Sequence, residues 1–161
     1  MSLSVLAFPD PRLRRKAAPV EAFDDALARL AEDLLAAMRA AGGVGITAPH
    51  CGVLSRLVVI EIEPGAPRFY VNPAILEASQ EKIRGVEGSV SMPGARAEVL
   101  RAARVRVACE DLSGAPREEA AEGFLSVCLQ HEIDQLDGIF WLERLSRLKR
   151  ERLVKAYGKG R

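Results

Sequence analysis

Between Glu21 and Ala41 the apolar residues Phe23, Leu27, Leu30, Leu34 and Met38 recur three and four positions apart, the spacing that gathers side chains on one face of a helix. Gly42-Gly43 supplies its stop. From Arg56 to Glu63 the pattern changes to a short β-branched run, Leu57-Val58-Val59-Ile60 followed by Ile62, which predicts a strand. Phe69-Tyr70-Val71, before Asn72-Pro73, predicts another. From Val99 to Glu110, Val105, Val107 and Cys109 alternate with Arg104, Arg106 and Ala108, the signature of a half-buried strand.

Gly123 to Leu136 carries apolar groups around nearly its whole circumference through Phe124, Leu125, Val127, Cys128, Leu129, Ile133 and Leu136. A helix of that kind lies inside a protein. A last helix is predicted over Leu145 to Tyr157. The order of helix, several strands, buried helix and terminal helix points to an α+β architecture rather than an alternating α/β one. No repeat or low-complexity linker interrupts the 161 residues, so they are expected to form a single domain, 1–161.

Composition narrows the class. With 48% hydrophobic and 28% charged residues the chain is neither disordered nor membrane-spanning in type. The start, Met1-Ser2-Leu3-Ser4-Val5, has neither the basic opening nor the apolar stretch of a secretory signal, and a cytoplasmic location is expected. Cys51, Cys109 and Cys128 are well separated, form no CxxC pair and read as reduced core thiols. The net charge of +1 hides an asymmetry, because Glu143 to Arg161 holds eight Lys or Arg against two Glu. That tail forms either a solvated helix face or a surface for an anionic partner.

The buried helix also contains His131-Glu132-Ile133-Asp134-Gln135. Polar groups on such a helix are costly unless paired or bound to something. An H-E-x-x-H helix offers two imidazoles to one metal ion while the glutamate handles the proton of a bound water. Here the second histidine position is Gln135, a weak neutral ligand, so an ordinary three-ligand site is not expected.

Three further segments, in order, carry a resemblance. Val5 to Arg14, with Ala18-Pro19-Val20, is similar to the N-terminal signature of the peptide deformylase family. The motif G-x-G-x-A-A-x-Q reads Gly43-Val44-Gly45-Ile46-Thr47-Ala48-Pro49-His50. E-G-C-x-S reads Glu87-Gly88-Ser89-Val90-Ser91, and Q-H-E-x-D-H-L-x-G reads Gln130 to Gly138. The chain therefore resembles that family from end to end, which implies antiparallel sheets packed around a central helix bearing His131-Glu132, plus a C-terminal helix.

The resemblance implies hydrolysis of the N-formyl group from N-formylmethionyl nascent peptides by a metal-bound water. Glu132 would be the acid/base, the glutamine position now held by His50 would stabilise the oxyanion together with a backbone N–H near Val90, and Gly45 would belong to the same catalytic surroundings. Val44, Phe124, Val127 and His131 would line a methionine pocket, with plain core packing as the other reading of the first three, and Arg96 would meet the peptide. Gly85 stands where the family carries a larger apolar residue. Of the three metal ligands only His131 is retained, Ser89 replacing a cysteine and Gln135 a histidine.

No tightly bound metal is expected on this basis, and deformylase activity should be weak or absent. A weak or relocated zinc, iron or nickel ion on His50 and His131, helped by Glu132 or Ser89, would instead make the chain an active amide hydrolase. His50 would otherwise simply hydrogen-bond in a polar cleft. The residue types of a serine nucleophile are also present, with Ser89, a histidine base and Glu132, although nothing places a base on Ser89.

The expected partners are N-terminal methionyl or formylated peptides. In the third reading the chain is a non-enzymatic binding protein that meets the ribosome through Arg147, Lys149, Arg150, Arg152 and Lys155. Neither a sequence-specific nucleic-acid surface nor a membrane is expected.

Overall fold

A computed structural model describes residues 2–160. Helix α1 spans Asp25–Ala40, α2 spans Gly123–Leu136 and α3 spans Arg147–Lys159. The strands are β1 (Gly45–Thr47), β2 (Leu57–Ile60), β3 (Arg68–Ala78), β4 (Lys82–Ser89), β5 (Met92–Ala102), β6 (Arg104–Glu110) and β7 (Pro116–Glu122). Five of them form an antiparallel sheet in the order β1-β2-β3-β6-β7, and β4 with β5 makes a separate hairpin.

Strand β2 shows how the layers arise. All four of its side chains are buried. Leu57 and Val59 join Leu27, Ala31, Leu34 and Met38 of α1, while Val58 and Ile60 join Leu129, Ile133 and Leu136 of α2. The two helices thus cover opposite faces of the sheet, and the period of two decides which residue meets which helix. Val105, Val107 and Cys109 of β6 point to the α2 side, as their alternation predicts.

Several sequence-based boundaries move. Helix α1 starts at Asp25 because the Asp24 carboxylate accepts the N–H of Leu27, so Phe23 packs from outside the helix. The stretch from Val99 to Glu110 is two strands that turn at Ala103. Strand β3 runs on through Asn72-Pro73 to Ala78, the register shifting there. Asn72, at φ 51°, spends its amide on the backbone of Val20 and on Glu110, which compensates the break in the ladder. The last helix is Arg147–Lys159 rather than Leu145 to Tyr157. Cys109 and Cys128 are buried free thiols, whereas Cys51, also free, is only half-buried. Phe124 is 52% exposed, so α2 is not apolar-covered at its first turn.

The hairpin closes over the remaining side of α2. Gln130 and Ser126 bond to the backbone of Ala102, and a chain of charges continues the clamp. Arg101 forks onto Glu87 across the hairpin at 2.8 and 2.9 Å and reaches Asp134 of α2 at 2.7 Å. Asp134 also receives Arg144. Among the described residues no helix is long and apolar enough to cross a membrane.

Arg101 is 4% exposed, so its removal would leave Glu87 charged and dry. Arg101→Met should therefore cost about 3–5 kcal/mol in urea unfolding, and Arg101→Met with Glu87→Gln distinctly less than the sum of the two single changes.

Candidate functional site

The cleft lies where β1, the β4–β5 hairpin and α2 meet. It encloses about 430 Å3, and Val44, Gly45, His50, Ser89, Val90, Arg96, Phe124, Val127, His131 and Glu132 all line it. These are ten of the eleven positions singled out from the sequence. The eleventh, Gln135, is buried but outside the lining, and its amide donates to the Leu13 carbonyl. Gly85 is likewise absent from the lining, whereas its neighbour Val86, 63% exposed, is at the mouth.

Gly45 has a steric reason to be glycine. A Cβ built there would collide with the Glu132 carboxylate, so the bare backbone of β1 is what lets that carboxylate lie against the strand. Glu132 is 5% exposed, and its Oε1 has no hydrogen-bond partner. Burial pushes the carboxyl up to about 7, against the pull of the neighbouring His131.

Glu87 goes the other way. Burial alone would raise it, but hydrogen bonds from Arg101 and His131 hold it at about 2. The motif assigns this carboxylate no role, and nothing in the sequence pattern singles out Arg101, which lies two residues after buried Val99 and shares its inward face.

The two imidazoles are held differently. His131 Nδ1 lies 2.9 Å from Glu87 Oε1, an acceptor, which leaves Nε2 as the nitrogen available to a ligand. Burial would lower its pKa, yet Glu132 and Glu87 raise it overall. His50, 1% exposed, closes a turn, Ala48–Cys51, in which Thr47 N–H donates to its Nδ1 at 2.9 Å. Burial, then His131, lowers His50 to about 3, so it is neutral at ordinary pH.

One ligand atom each from His50, His131 and Glu132 lies within 4.8 Å of the others, a grouping that could hold a metal ion. The Ser89 hydroxyl accepts the N–H of Ser91 at 3.1 Å. Among the described residues the Ser89 hydroxyl is hydrogen-bonded by Ser91 and by neither imidazole, so the geometry places no base on it.

The polypeptide deformylase family model matches residues 2–151. A "peptide deformylase-like" protein of Brucella melitensis is 58% identical over 156 residues, covering 96% of this chain and 95% of its own length. A peptide deformylase of Alkalilimnicola ehrlichii is 46% identical over 94% of this chain and 86% of its own. The crystal structure of a peptide deformylase from Legionella pneumophila superposes with a TM-score of 0.92 at 40% identity, covering 99% of this chain and 95% of that one.

Because burial raises the Glu132 pKa from an ordinary 4.5 to about 7, the folded state holds a proton that the unfolded state has released across that window. Its contribution favours folding below pH 4.5 and is lost as pH rises toward 7. In metal-stripped protein, the unfolding free energy of Glu132→Gln should rise relative to the parent between pH 4.5 and 7.5, by on the order of 3 kcal/mol.

Proposed function

As the chain belongs to the polypeptide deformylase family, we propose that it is a deformylase-like protein whose cleft receives N-formylmethionyl or methionyl peptide ends, with deformylase turnover weak or absent. The observation that carries this reading is the state of the three positions where the family motifs put metal ligands. His131 alone keeps an imidazole, oriented by Glu87. The Ser89 hydroxyl is engaged with Ser91, and the Gln135 amide is drawn to Leu13.

A neutral hydroxyl and an amide do not replace a thiolate and an imidazole toward zinc, iron or nickel, so this donor set does not fit the family's cage. No hydrolytic step is derived through such an ion. What the chain's own groups can do is bind and orient. Val44, Val127 and Phe124 offer an apolar wall, exposed Arg96 at the rim meets a carbonyl or carboxylate, and Glu132 takes or gives a proton near neutral pH. The name carried by the Brucella melitensis relative agrees with this reading.

A second reading has its own observation: His50, His131 and Glu132 are close enough to hold a relocated ion, which would restore an amide hydrolase. A third rests on α3, which has no buried residue and exposes Arg147, Lys149, Arg152 and Lys155, with Arg150 half-buried. It makes the chain a binding protein on an anionic surface such as the ribosome.

Elemental analysis of freshly purified protein should find far less than one metal ion per chain. At about 3 kcal/mol per ligand, two lost ligands weaken binding roughly 10^4-fold. Hydrolysis of a formyl-Met peptide should stay near background with or without added iron, nickel or zinc. Ser89→Cys with Gln135→His should raise metal binding and turnover together; stoichiometric metal and efficient turnover in the unmodified chain would sink the first reading. For the third, salt-dependent co-sedimentation with ribosomes should vanish when residues 147–161 are deleted.

A further inference from the structure

We propose that Thr47 and His50 act as one unit, in which Thr47 fixes the His50 imidazole with its hydrogen on Nε2. His50 then offers the cleft a hydrogen-bond donor for an acyl or carboxylate oxygen, and not a lone pair for a metal ion. For the identity of that ligand the inference rests on the peptide-binding reading above; the tautomer stands on the geometry alone.

Two donors converge on His50 Nδ1. The backbone N–H of Thr47 reaches it at 2.9 Å, and Thr47 Oγ1 also lies at 2.9 Å. That hydroxyl already accepts the N–H of His50 at 3.3 Å, so its own hydrogen is free to point at the ring. A nitrogen receiving a backbone N–H carries no hydrogen itself, and a neutral imidazole must then carry it on Nε2.

His50 lines the cleft, and its buried Nε2 has no hydrogen-bond partner among the described residues. A dry N–H matched by nothing in the fold is suited to an oxygen that arrives with a ligand. Coordination through Nε2 would require its hydrogen to move onto Nδ1, directly against the N–H of Thr47. Coordination through Nδ1 would require both bonds to Thr47 to break.

His131 is the mirror case. Its Nδ1 faces the Glu87 carboxylate, which only accepts, so the hydrogen is on Nδ1 and, in the neutral ring, the lone pair is on Nε2. In the motif G-x-G-x-A-A-x-Q, Thr47 occupies the first alanine position and His50 the glutamine position. These two departures touch each other, one supplying what the other needs.

The chain has only two histidines, so long-range 1H–15N spectra of histidine-labelled, metal-stripped protein read both directly. His50 should show a protonated Nε2 and His131 a protonated Nδ1. One equivalent of zinc should leave His50 unmoved, and N-formylmethionyl-alanine should shift its Nε2–H. Thr47→Val should weaken that dipeptide by about 2–10-fold, and Thr47→Ser should restore it. A hydrogen on His50 Nδ1, a zinc shift of His50 Nε2, or a bound dipeptide that leaves Nε2–H unmoved would each overturn the proposal. If the dipeptide does not bind while both tautomers hold, the peptide-binding reading fails and the Thr47–His50 lock survives.

Discussion

Helix α2 is covered by the sheet on one side and by the β4–β5 hairpin on another, and yet it carries Ser126, His131, Glu132 and Gln135 among its buried residues. Polar groups in that position must be matched by the protein or left facing the cleft, since water is not there to serve them. The matching is done largely by the hairpin. Glu87 takes Arg101 and His131 at once, and Arg101 passes on to Asp134. The same ionic contacts that fix the hairpin on the helix therefore fix the ring of His131.

This arrangement separates two carboxyl groups that the low dielectric would otherwise treat alike. Glu87 has a guanidinium and an imidazole within hydrogen-bond reach and stays ionised. Glu132 sits against the bare backbone of Gly45 with one oxygen unmatched, and its proton is retained up to about pH 7. Opposed shifts of this kind assign different work to chemically identical groups: one orients, the other exchanges a proton.

The legible parts of the fold are those whose burial is apolar. Helix α2 has the limits read from the sequence, Gly123–Leu136, because its apolar run begins and ends with the helix. The hairpin escaped a reading by hydrophobic pattern because its buried positions include Glu87, Ser89 and Arg101, which are polar. Edge strand β7, Pro-Arg-Glu-Glu-Ala-Ala-Glu, buries only Ala121 and looks like a loop. Strand β3 outlasts its proline through a side-chain repair by Asn72 that no local pattern announces. At the cleft the residue types were legible from motif spacing, but their hydrogen-bond partners were not. Thr47 beside His50 and Leu13 beside Gln135 are contacts of the folded chain, the second joining residues 122 positions apart.

The substituted positions share a physical property that bears on what became of the site. Ser89 is bonded to Ser91, Gln135 to Leu13 and His50 to Thr47. Each of these three side chains has a hydrogen-bond partner for at least one of its atoms. Glu132 Oε1 and His50 Nε2 are two of the buried side-chain atoms without a partner among the described residues, and both belong to residues that line the cleft. Each costs about 1–3 kcal/mol when buried and unpaired. On the wall of an open cavity, these two are within reach of a polar group that enters it.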